Sequence, residues 1–72
     1  MKLKAKVYDD YEITEVYKII KFMKNFPELI SVRFIIPDNL FEIEFSSYVP
    51  SVVKYLEEHE LVDTITIEGV WY

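Results

Sequence analysis

Cysteine is absent from the 72 residues and glycine occurs once, at Gly69. Without cysteine there is no disulfide framework, thiolate zinc site or thiol nucleophile, and that usage fits a reducing compartment; the expected address is cytoplasmic. A single glycine excludes the phosphate-cradling loops of P-loop and dinucleotide-binding proteins, and it leaves no glycine-rich elbow or oxyanion loop for serine chemistry. One histidine, His59, falls short of the two or three that hydrolytic metal sites usually take. No apolar run approaches membrane-spanning length, and Met1–Val7 alternates charge with apolar residues instead of forming the apolar core of a leader peptide. Positive charge is scarce too. Eight Lys and Arg stand against thirteen Asp and Glu, a net charge of −5 that disfavours unspecific attraction to phosphate backbones.

What is present is apolar and aromatic. Hydrophobic residues make up 51% of the chain and aromatic residues 17%, enough to offset the ordering entropy of a short chain, so one domain over residues 1–72 is expected. Leu3, Ala5 and Val7 alternate with Lys2, Lys4, Lys6 and Tyr8, as in a strand with one face buried. Asp9 and Asp10 offer N-cap oxygens with Glu12 three residues after Asp9, which predicts a helix from about residue 10. Its apolar stripe reads as Ile13, Val16, Tyr17, Ile20 and Met23, and Pro27 ends it. Ile30, Val32, Phe34 and Ile36 alternate with Ser31, Arg33 and Ile35, and Phe41, Ile43 and Phe45 alternate with Glu42, Glu44 and Ser46. With Pro37-Asp38-Asn39 between them, the two runs predict a hairpin. Ser46 or Ser47 is a candidate cap for a second helix with Pro50 in its first turn, a stripe of Val49, Val52, Val53 and Leu56, and an end near His59. A last strand is expected over Leu61–Tyr72, with Gly69 marking a bulge.

Strand, helix, strand, strand, helix, strand is two split βαβ units. Right-handed crossovers interleave them into a four-stranded antiparallel sheet of order 4-1-3-2 with both helices on one face, the ferredoxin-like α+β sandwich. That fold hosts many unrelated functions, so function has to be read from sites.

The sites are bland. In this order Lys2, Lys4 and Lys6 stand across from Glu42 and Glu44 on the open sheet face, which suits a charge ladder; an acid–base pair needs one carboxyl raised and water excluded. His59 in the last helical turn complements the helix dipole. A triad of Ser46, Ser47 or Ser51 with His59 and Asp63 lacks an oxyanion loop. RNA-binding relatives carry base-stacking aromatics on the open face, whereas Tyr8, Ile35 and Tyr72 are the only apolar residues assigned there. No catalytic group, cofactor or metal is expected.

The rhythm of Phe26–Val32, Asn39–Phe45 and Leu56–Ile65 resembles stand-alone amino-acid-sensing modules of the Lrp/AsnC and ACT type, which implies a small-molecule ligand. Those modules usually place glycine in the ligand loop, where this chain has Pro37-Asp38-Asn39. Two other features point to protein partners. Glu57, Glu58, Glu60 and Asp63 gather acid at a helix C-terminus that prefers cations. Surplus aromatics, with Tyr8, Trp71 and Tyr72 foremost, and an exposed edge containing Arg33 and Ile35 suit an interface or a homodimer. The leading expectation is therefore a small acidic, non-enzymatic interaction module, such as an inhibitor or adaptor encoded by a virus or other mobile element, acting on a basic or nucleic-acid-binding protein without touching nucleic acid itself. Amino-acid sensing is the alternative.

Overall fold

A computed structural model describes residues 1–68. Its elements are β1 (Lys2–Val7), α1 (Ile13–Met23), β2 (Leu29–Ile35), a 3₁₀ turn (Ile36–Asp38), β3 (Leu40–Phe45), α2 (Pro50–Glu58) and β4 (Val62–Glu68). The strands form one antiparallel sheet in the order β2-β3-β1-β4, the ferredoxin-like arrangement. Gly69, Trp71 and Tyr72, on which a bulge and part of an interface were expected, lie outside the described residues.

The alternation read from the sequence sets which face of the sheet is dry. Leu3, Ala5 and Val7 of β1 and Phe41, Ile43 and Phe45 of β3 are buried, and they share one core with Val16, Ile19 and Met23 of α1 and Val49, Val52, Val53 and Leu56 of α2. Truncating a fully buried member such as Ile19 or Phe41 to alanine removes contacts worth about 3 kcal/mol. Between the helices, the Phe22 ring stacks on Tyr55 with centroids 3.9 Å apart.

Several local expectations are corrected. α1 begins at Ile13, not near residue 10, because Asp9 and Asp10 lie in a turn: the Tyr11 N–H donates to the Tyr8 carbonyl, and Asp9 Oδ1 accepts from Asn39 Nδ2 at 2.6 Å. Asp9 thus ties two loops together instead of capping a helix. The N-cap is Glu12, whose carbonyl accepts from the Glu15 and Val16 N–H groups, with no side-chain cap bond. α2 likewise starts after Val49, not Ser46 or Ser47, and Pro50 occupies a first-turn position where its missing N–H leaves no bond unmade. The buried stripe of α1 is rotated from the expected one: Ile19 is fully buried while Tyr17 is 64% exposed and Ile13 is exposed.

Each edge strand carries one irregularity. In β2, Leu29 pairs with Phe45 and Ser31 with Glu44, so Ile30 is an extra residue, and it is 59% exposed instead of facing the core. In β4, Thr64 pairs with Lys6 and Val62 with Val7, so Asp63 is the extra residue. Ile36 also leaves the core face, because it belongs to the 3₁₀ turn.

Candidate interaction surfaces at the sheet edges

On the open face the expected cross-strand register is present, Lys2 with Glu44 and Lys4 with Glu42. The close ion pairs differ from that ladder. Arg33 donates through Nε, at 2.7 Å, and Nη2 to one oxygen of Glu42, and Lys4 reaches diagonally to Glu68 at 3.4 Å. Glu42 therefore belongs to Arg33, the cation on the outer strand, while Glu44 and Lys2 have no ion pair among the described residues. A shallow depression of about 460 Å³ is lined by these charged residues together with Ser31, the smallest side chain in this array. With both signs of charge around it and water above it, each exposed pair contributes at most about 1 kcal/mol. Leu40, half-buried opposite Ile35, is an apolar open-face residue that the sequence reading missed.

The turn before β3 is closed by its own bonds. Asn39 takes the left-handed conformation (φ 51°, ψ 45°), which asparagine tolerates better than most residues other than glycine. Its carbonyl accepts from the Val7 N–H at 2.9 Å, and its side chain holds Asp9.

His59 is engaged within the chain. Its Nδ1 accepts from the Leu61 N–H at 3.1 Å, a bond that requires Nδ1 to carry no proton, and its ring meets Tyr55 edge-on with centroids 5.5 Å apart. Among the described residues no three His, Asp or Glu side chains converge in a way that would hold a metal ion. No helix among them is long and apolar enough to cross a membrane. Burial pushes the Tyr55 phenol above its ordinary pKa, and the Glu15 carboxylate adds to the shift.

The residues singled out from the sequence do not form one patch. Arg33 and Ile35 lie on β2 and Asp63 on β4, opposite edges separated by β3 and β1, roughly 14 Å at the usual strand spacing. Tyr8 is 47% exposed at the end of β1, where its N–H donates to the Leu61 carbonyl. Of the four acidic residues, Glu57 and Asp63 line one groove and Glu58 and Glu60 do not: a groove of about 400 Å³ between α2 and β4 is lined by Val53, Glu57, Val62, Asp63, Ile65 and Ile67. Val62, Ile65 and Ile67 are only half-buried, and neither Glu57 nor Asp63 has an ion pair among the described residues. The sequence signal for this groove was present in part, as alternating Ile65 and Ile67. α2 packs against β4 itself, and the groove runs along the β4 side chains that the helix leaves half-buried. No protein-family model, curated protein or solved structure matches the chain.

Proposed function

We propose that the chain is a non-enzymatic interaction module that docks a basic, apolar-containing segment of a partner protein in the groove between α2 and β4, and so acts as an adaptor or inhibitor. One observation carries this reading: a groove floored by half-buried Val62, Ile65 and Ile67 beside the buried Val53 has on its rim two carboxylates, Glu57 and Asp63, with no ion pair among the described residues. Anions near the C-terminus of α2 cost a few tenths of a kcal/mol in the free chain, a cost that an incoming cation removes. The apolar floor supplies affinity by leaving water, and the carboxylates select charge and speed encounter.

The experiment is a titration of a fluorescent lysine- and isoleucine-containing peptide into the intact chain. Charge reversal at Glu57 and Asp63 together is expected to weaken binding at least tenfold, whereas reversal at Glu58 and Glu60, which change net charge equally, leaves most of the affinity. Equal losses from the two pairs would mean a diffuse acidic surface and would overturn the groove as the site.

A further inference from the structure

The groove lies beside a free backbone edge, and the hydrogen-bond alternation says which groups that edge offers. The Tyr8 N–H donates toward β4, to Leu61, while the Val7 N–H donates the other way, to Asn39. Along β1, then, the even-numbered residues face β4, and Lys2, Lys4 and Lys6 bond to their register partners Glu68, Thr66 and Thr64. The intervening Ile65 and Ile67 direct their N–H and C=O outward, where no strand lies among the described residues. The side chains of these same two residues form the floor of the groove. Backbone and side chain thus present one continuous surface, with unpaired amides on the rim and apolar groups on the helix side.

We propose that the partner segment is extended and adds to β4 as a fifth strand. It places apolar residues at alternate positions beside Ile65 and Ile67, with Lys or Arg at the end that meets Asp63 and Glu57. This rests on the docking reading above and specifies its mode. An added strand satisfies the outward amides of Ile65 and Ile67 and covers the floor with every second side chain. A docked helix, about 10 Å across, covers the floor but leaves those amides unpaired. The charge pattern agrees. Between Asp63 and Glu68 the edge is Thr-Ile-Thr-Ile, with no charge to repel an incoming backbone, and both flanking charges are negative.

Three labelled short peptides of one composition test this on the intact chain: isoleucines at alternate positions followed by lysines, the same residues at helical spacing, and the alternating peptide N-methylated on the amides that would face β4. Binding is read by fluorescence anisotropy and by hydrogen exchange at the Ile65 and Ile67 amides. The alternating peptide is expected to bind at least tenfold tighter than either of the others and to slow exchange at both amides. Equal binding of all three, still lost on charge reversal at Glu57 and Asp63, would overturn strand addition while sparing the groove. Binding of none would overturn both. Protection of the two amides that grows with protein concentration and without peptide would assign the edge to a second copy and overturn the proposal as well.

Discussion

The two edges of the sheet are strands of seven residues each, β2 and β4, and they treat the same problem of unpaired backbone in opposite ways. β2 carries Arg33 at its centre, braced by Glu42, with the extra residue Ile30 at one end and Pro37 in the turn at the other. Charge, bulge and proline are each devices that discourage a further strand. Its inward side chain Phe34 is held by Tyr11, edge-on with centroids 5.2 Å apart, and by Phe41 at 4.7 Å. β4 has its bulge at Asp63 but no charge from Thr64 to Ile67, and its inward side chains open onto a groove. A fold this small has few surfaces to spare, and under the docking proposal the contrast assigns the partner to β4.

The largest effect that tests the contrast is on stability. Phe34→Ala empties an aromatic contact on the packed edge and is expected to cost about 2 kcal/mol, against about 1 kcal/mol for Ile65→Ala, which removes a smaller, equally half-buried side chain from the groove. Denaturant unfolding measures both, and equal costs would mean that the β4 flank is as well packed as β2. Next, Arg33→Val removes the central charge of β2 and is expected to produce concentration-dependent dimers in sedimentation, whereas Glu57→Gln is not. A monomeric Arg33→Val protein would show that the bulge and turn suffice to protect that edge.

The smallest effect concerns Tyr55, which bridges the two helices and serves as a control common to both edges. Its phenol is raised in the folded chain, so stability is intact below the ordinary value of about 10 and falls as pH climbs past it, because the unfolded chain ionises first. Tyr55→Phe should flatten that fall by a few tenths of a kcal/mol in pH-dependent melting.

The sequence made some of this legible and hid the rest for identifiable reasons. Period-two and helical spacing located every strand and the full stripe of α2, because burial on one face enforces those periods. The stripe of α1 was ambiguous: Ile13, Tyr17 and Ile20 share a face as regularly as Val16, Ile19 and Met23, and only the helix's seat on the sheet decides between them. Ile30 and Asp63 betray no bulge in their residue types, so the phase of β2 was misread before Ser31. Arg33 was read as an interface residue from its place on an exposed edge, and its bond to Glu42 needed the register. The acid at Glu57 and Asp63 was visible, but their separation from Glu58 and Glu60 required the geometry of the α2–β4 connection.

The central claim is that docking belongs to β4 and not to β2. Amide chemical-shift mapping during titration with the alternating isoleucine–lysine peptide tests it most directly. Perturbations confined to Val53, Glu57 and Val62–Ile67, with Ser31–Ile35 unmoved, are the predicted result. Perturbations centred on Ser31–Ile35 would contradict the account.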